Sequence, residues 1–194
     1  METVNNESVQ ESLAAVENTM LRTRKAVGAS RGSPFLILWG LLWTIAYTVS
    51  HFYPKYSGIT FPMMGIVGTV GCFLIFWILD PKMPFKEPAA GKTNLRIWAL
   101  WGLLFLYVVI WLNLLAPSNG IQTNAFLATA VMFGTVILGL WFTVYFMVWL
   151  GLFITAMTLT GFYFIPHYYY CLWMAVMCGG VMFCTGLFIK LRWR

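Results

Sequence analysis

Two histidines and a cysteine are the residues of this chain whose types are suited to binding haem or a metal ion. His51 lies in the stretch SHFYP and His167 in FIPHYYY, and Cys171 follows four residues later. A pair of histidines can hold haem iron, and two histidines with a cysteine can ligate a metal ion. The alternative is that both histidines bond to backbone or water at a membrane surface. Because no third ligand at a known spacing accompanies them, we expect no bound cofactor or metal. If haem is bound, His51 and His167 are the candidate ligands.

Polar residues near the histidines offer a second kind of chemistry. Ser50, Tyr47, Asn113 and Tyr163 can line a shallow outward pocket for a neutral or aromatic ligand. The sequence has no Gly-rich phosphate loop before a helix, and no Ser–His–Asp or paired-carboxylate arrangement. We therefore predict that the protein is not an enzyme.

The composition places the chain in a membrane. Of its 194 residues, 60% are apolar and 9% are charged, whereas a soluble domain carries about 25% charged residues. Apolar runs of about 20 residues are typical of transmembrane helices. We predict an all-α integral membrane protein with six spans, at about residues 35–53, 60–79, 95–115, 124–145, 147–165 and 169–189.

One long stretch, from Asn124 to Ile165, has 42 residues and no charge. As a single helix it would be about 63 Å long, roughly twice the thickness of the hydrocarbon layer. The chain must therefore reverse within it. We predict the turn near Tyr145–Met147, although no glycine or proline marks that position.

The distribution of lysine and arginine predicts the orientation. Of the 12 basic residues, four precede the first span, four lie between the second and third spans, and three follow the sixth. The positive-inside rule then places both termini in the cytoplasm, as in a bacterial-type inner-membrane protein. The net charge of +6 follows from this topology, so we expect the lipid bilayer as a contact and no nucleic-acid partner.

The chain divides into residues 1–30, predicted to form a cytoplasmic amphipathic helix, and residues 31–194, the six-span transmembrane domain. We expect Gly28 and Gly32 to break the helix before the membrane. The helix lies on the membrane surface, or it pairs with a second copy as a short coiled coil. It is therefore a candidate contact for a protein partner or a homo-oligomer. One stripe of the helix has residues at intervals of three or four, with Thr23 as its polar member. The apolar members are Val9, Leu13, Val16, Met20 and Val27.

A Pro-rich, charged segment, DPKMPFKEPAAGKTN, follows the second span. Three prolines disfavour a helix, so we predict an extended linker over residues 80–94.

A tryptophan–glycine pattern recurs in the odd-numbered spans. It reads LILWGLLW from Leu36, WALWGLLF from Trp98 and MVWLGLFI from Met147, and a proline follows each glycine after 14 or 15 residues. We predict three helical-hairpin repeats. Trp39 and Trp101 are expected at the cytoplasmic interface, in an aromatic belt.

Glycines permit close approach of membrane helices, which associate largely by packing. The alternative is that they loosen the helices for a transport cycle or line a pore. The predicted helix-packing residues are Gly40, Gly102 and Gly151 in the odd spans and Gly65, Gly68, Gly134 and Gly179 in the even spans.

Charged residues are absent from the apolar core of every predicted span, which argues against a proton- or sodium-coupled carrier. Our first hypothesis is a non-catalytic accessory or binding protein that acts through helix faces and the N-terminal helix. One alternative is a permease or channel for a small neutral or hydrophobic substrate. Another is a membrane electron carrier that binds haem through His51 and His167.

Overall fold

The computed structural model describes residues 6–79, 88–117 and 119–192, and the regular elements in these ranges are all helical. A 3-10 turn, Pro54–Tyr56, precedes α2, and a π-helical turn, Ala175–Gly180, joins α6 to α7. We call the continuous stretch His167–Arg192 the sixth span. The α-helices are α1 Asn6–Phe52, α2 Ser57–Leu79, α3 Pro88–Leu115, α4 Gly120–Trp141, α5 Tyr145–Phe164, α6 His167–Met174 and α7 Val181–Arg192.

Six stretches are long and apolar enough to cross a membrane, which confirms the prediction of an all-helical, multipass membrane protein. Each overlaps one predicted span. They are Gly32–Phe52, Pro54–Ile78, Leu95–Leu115, Gly120–Trp141, Tyr145–Phe164 and His167–Arg192.

The first helix is continuous through Gly28 and Gly32, so the predicted break before the membrane is wrong. Glycine lowers helix stability by only about 1 kcal/mol relative to alanine, which a long helix tolerates. At 1.5 Å per residue, the 47 residues of α1 extend about 70 Å, more than twice the hydrocarbon thickness. The part of α1 before Gly32 therefore extends beyond the apolar stretch of the first span.

The predicted extended linker, residues 80–94, is helical from Pro88 onward, so that part of the prediction is wrong. Proline is favoured at the first position of a helix because its missing N–H would have no partner there. Residues 80–87 lie outside the described residues.

The helices pack in the spatial order α2, α1, sixth span, α5, α4, α3. The most extensive contacts join α1 to the sixth span and α4 to α5, and neither pair is one of the predicted hairpins. The packing does not divide into three equivalent hairpins, and the repeat remains a prediction.

The core lies between α1, α4, α5 and the sixth span. Its largest fully buried side chains include Tyr170, Met132, Ile154 and Met174. By contrast, only 6% of the membrane window is buried in α2 and in α3, against 28–39% in the other four spans. Two of the six spans thus contribute little to the core.

The reversal between α4 and α5 occupies residues 142–144, slightly before the predicted position. The N–H of Val144 donates to the carbonyl of Gly139 (2.8 Å), and the N–H of Thr143 donates to the carbonyl of Leu140 (3.2 Å). These bonds form a Schellman motif, which requires a left-handed residue after the helix. That residue is Thr143, with φ of 55°. A glycine is usual there, and its replacement by threonine leaves the turn without its ordinary sequence signal.

We predict that Thr143→Gly raises the free energy of unfolding by about 1 kcal/mol, because glycine adopts the left-handed conformation without the clash of a Cβ atom. The matched control is Thr135→Gly within α4, which we expect to lower the free energy of unfolding by about 1 kcal/mol. Unfolding of the purified protein in micelles measures both. A loss of stability in both variants would contradict the inference that the backbone is strained at Thr143.

Candidate functional site

α1 and the sixth span meet backbone to backbone at three glycines. A Cβ atom added to Gly40 would overlap the backbone of Phe183, and one added to Gly179 would lie 2.5 Å from the backbone nitrogen of Thr44. At Gly186 the added Cβ would lie 2.9 Å from the backbone nitrogen of Ile37. Real Cβ atoms do not approach so closely, so only glycine allows the two backbones to touch at these points.

Hydroxyl groups of α1 reinforce this contact. The buried Ser33 donates through Oγ to the carbonyl of Gly186 (2.7 Å). Thr44 Oγ1 lies 2.8 Å from the carbonyl of Gly40 and 3.5 Å from that of Ala175. Hydrogen bonds of this kind stabilise helix pairs in a bilayer, where no water competes for the donors.

The π-helical turn Ala175–Gly180 lies where the sixth span meets α1 and α5. Turns of this type occur mostly as single insertions within α-helices, often at functional sites. Within this one, Cys178 is fully buried, and its Sγ lies 3.6 Å from Thr158 Oγ1 of α5 and 3.5 Å from Met174 Sδ. Sequence reasoning missed the turn, for which the adjacent glycines Gly179 and Gly180 were the only hint.

Three of the other predicted packing glycines also lie at close contacts. An added Cβ would lie 2.7 Å from Val136 Cγ2 at Gly151 and 2.9 Å from Leu104 Cδ2 at Gly134. At Gly68 it would lie 2.5 Å from the ring of Trp39. Each glycine therefore admits a side chain of a neighbouring helix.

Gly65 and Gly102 differ from the rest, because an added Cβ would meet no atom within 4 Å at either position. Gly102 lies in the sequence LWGLL, which is identical to the sequence around Gly40. The same five-residue sequence thus packs against another helix at Gly40 of α1 but leaves Gly102 of α3 uncovered.

Trp39 is packed into the bundle, in addition to lying near one end of its span. Its Nε1 donates to Cys72 Sγ of α2 (3.2 Å), while its ring covers Gly68. Trp39 therefore packs against α2 as well as having the position expected of an aromatic-belt residue. Trp101, its counterpart in α3, lies beside Gly134 of α4.

A polar cluster joins α1, α4 and α6 near the other end of the bundle. The hydroxyl of Tyr47 donates to Asn124 Oδ1 (2.6 Å), and the hydroxyl of Tyr170 donates to the same oxygen (3.3 Å). Both tyrosines are buried and Asn124 is half-buried. Ser50, one turn after Tyr47, is only 4% exposed, and its Oγ has no hydrogen-bond partner among the described residues. The cluster is uncharged, so it is suited to a neutral ligand or to holding three helices together.

Only part of the predicted polar pocket is assembled. Tyr47 belongs to the cluster and Ser50 lies one turn further along α1, whereas Asn113 and Tyr163 are exposed on other helices. Asn124 and Tyr170 were not predicted. The sequence signal for Asn124 was its carboxamide within a predicted span, because a polar group in a bilayer requires a hydrogen-bond partner.

The histidines lie where α1 and α6 meet. The ring of His51 contacts the ring of Tyr168, with 5.1 Å between centroids, and His167 is exposed. Cys171 is half-buried. Across the described ranges, no three His, Cys, Asp or Glu side chains form a group that could hold a metal ion.

The membrane surfaces of α2 and α3 are apolar and largely uncovered by the rest of the described chain. The two helices touch through the stacked rings of Phe73 and Trp98, whose centroids are 4.5 Å apart. Around this contact, large side chains such as Ile66, Leu106 and Val109 are more than half exposed. In a bilayer this face meets lipid or another protein.

Comparisons with protein families, with curated proteins and with solved structures return no match for the chain.

We predict that Gly40→Ala lowers the free energy of unfolding by about 1–3 kcal/mol, because the added methyl group forces the touching backbones apart. The matched control is Gly102→Ala, in the same LWGLL sequence but without a neighbour. We expect it to raise the free energy of unfolding by about 0.5–1 kcal/mol, because alanine is the better helix former and its methyl group meets no described atom. Denaturant titration of dilute protein in micelles measures both. Equal losses of stability in the two variants would show that the LWGLL sequence itself, and not the neighbouring helix, decides the effect.

Proposed function

We propose that this protein is a non-catalytic accessory or binding protein of the inner (cytoplasmic) membrane, with both termini in the cytoplasm. In this proposal it binds a partner protein through the membrane face of α2 and α3 and through the N-terminal part of α1. The observation that carries the proposal is the uneven burial of the spans, since α2 and α3 are held in the bundle with only 6% of their windows buried.

The open glycines support the use of this face for binding. Gly65 lies on α2 and Gly102 on α3, and a Cβ atom added to either would meet no atom of the described residues within 4 Å. Membrane helices associate where small residues let backbones approach. A glycine of that kind on an uncovered face provides a notch for a helix from outside the bundle.

The interior of the bundle favours binding over transport. Its middle is filled by Met132, Ile154 and Met174, each at most 1% exposed. The described residues of the core carry no charge, as the sequence predicts, and charged groups are the usual marks of ion and proton pathways. A binding protein needs neither a solute pathway nor charged residues in its core.

The N-terminal part of α1 supplies a second surface. It continues the helix beyond the first span, and the exposed Leu13 belongs to its apolar stripe. Most helical stability in proteins comes from tertiary packing, so this extension would gain stability by packing against a partner.

The test is photo-crosslinking in native membranes. A photoreactive phenylalanine analogue replaces Ile66 in α2 or Leu106 in α3, and the matched control replaces the exposed Leu152 in α5. We expect protein adducts of defined mass from α2 and α3 and only lipid adducts from α5. Deletion of residues 1–30 should reduce the yield of these adducts.

Two results would count against the proposal. Lipid adducts alone at all three positions would remove the binding face of α2 and α3. An unchanged adduct yield after deletion of residues 1–30 would remove the role of the N-terminal helix.

A second candidate function, a permease for small neutral solutes, is favoured by the polar cluster at Asn124. Ser50 Oγ has no partner, and Asn124 Nδ2 donates no hydrogen bond within the described part of the chain. These groups are available to a neutral molecule that offers an oxygen acceptor. We expect glycerol or urea to enter liposomes faster with the protein than without it, and Ser50→Leu to abolish the difference. Equal flux with and without protein would exclude these solutes as substrates.

A further inference from the structure

The sixth span ends in a basic segment, KLRWR, of which Lys190 and Arg192 are exposed. We call these two residues the basic patch. Neither forms an ion pair with a described residue, and the sequence contains no Asp or Glu after Glu87. The described residues therefore leave the patch without a counterion.

The neighbouring helix α1 does not supply the missing negative charge. Ser33 donates to the carbonyl of Gly186 (2.7 Å), so the two helices are level at this point. Lys190 lies about 6 Å beyond Gly186, whereas Glu17, the nearest acid of α1 in the sequence, lies about 24 Å beyond Ser33 along the helix. The remaining distance of about 18 Å is more than twice the Debye length of about 8 Å at physiological ionic strength. Attraction between Glu17 and the patch is therefore screened.

The patch adjoins an apolar surface that faces away from the bundle. Gly186 and Ile189 are buried against α1, whereas Phe188 and Leu191 are 59% and 65% exposed. The apolar stretch of the sixth span ends at Arg192, and the phosphate groups of phospholipids lie at the edge of the hydrocarbon layer. The patch is thus at the depth of the lipid phosphates, with lipid-facing side chains directly beside it.

The guanidinium of Arg192 is held at this boundary by a ring. Its Cζ atom lies 5.7 Å from the centroid of the Phe188 ring, one turn earlier in the helix, where a cation is attracted to the face of the ring. The contact keeps the charge beside the apolar surface. A guanidinium offers a planar fork of N–H donors that binds two phosphate oxygens at once.

We propose that the basic patch binds the phosphate of an anionic phospholipid. Arg192 provides the two-pronged contact, Lys190 provides a second positive charge, and the acyl chains lie against Phe188 and Leu191. A zwitterionic lipid carries its own cation beside the phosphate and gains less, since each Lys or Arg strengthens binding to an anionic lipid surface about fivefold. This site goes beyond the proposed function and does not depend on the face of α2 and α3.

The test is native mass spectrometry of the full chain in micelles that contain equal amounts of dioleoyl-phosphatidylglycerol and dioleoyl-phosphatidylcholine. We expect the wild type to bind phosphatidylglycerol at least tenfold more often than phosphatidylcholine. Arg192→Gln should lower this ratio about fivefold. The matched control is Lys55→Gln, which removes one charge from the exposed turn between α1 and α2 and should leave the ratio unchanged.

A second substitution tests the ring that holds the guanidinium. Phe188→Leu keeps an apolar side chain and should lower the ratio at least twofold in the wild type, but not in the Arg192→Gln background, because the ring acts through the guanidinium. The replaced side chains are all exposed. Each variant should therefore keep the melting temperature of the parent in micelles with phosphatidylcholine alone, which shows that it folds.

Three results would overturn the proposal. The first is equal binding of the two lipids by the wild type, and the second is an equal loss from Arg192→Gln and Lys55→Gln, which would reduce the effect to net charge. The third is displacement of phosphatidylglycerol by inorganic phosphate at constant ionic strength, which would show a site for the free anion. The photo-crosslinking result at α2 and α3 is independent of all three.

Discussion

The structure depends on the contact between the backbones of α1 and the sixth span. Gly40 and Gly179 remove the side chains that would otherwise hold these helices apart, and Ser33 and Thr44 add hydrogen bonds along the same line. Because the contact draws the last span onto the first, α1 lies between α2 and the sixth span. The α4–α5 pair then completes the core against the sixth span.

The polar cluster at Asn124 belongs to the same arrangement. Tyr47 and Tyr170 approach one amide oxygen only because α1 and α6 are held side by side. Hydrogen bonds between membrane helices each contribute about 0.6 kcal/mol on average, so the cluster orients α4 more than it stabilises the fold. The tight crossing and the cluster together leave α2 and α3 at the edge of the bundle, where only 6% of each membrane window is buried. The proposed binding face lies there.

The sequence predicts the spans well because the cost of placing charge or unpaired backbone in lipid dominates every local preference. It also predicts that the chain reverses after α4, since 42 charge-free residues exceed one membrane thickness. The sequence does not predict the finer features, because these depend on residues of neighbouring helices. Thr143 occupies a position normally held by glycine, and the identical sequences around Gly40 and Gly102 meet a helix in one case and open surface in the other. Asn124 could be expected to need a partner, but nothing local identified Tyr47 or Tyr170.

The central claim is that the backbone contact between α1 and the sixth span organises the bundle and leaves α2 and α3 outside the core. Hydrogen exchange of the purified protein in micelles, followed by mass spectrometry, tests this claim most directly. We predict that Gly40→Leu speeds amide exchange in both α1 and the sixth span, because a leucine side chain cannot fit against the backbone of Phe183. Unchanged exchange in Gly40→Leu would contradict the account.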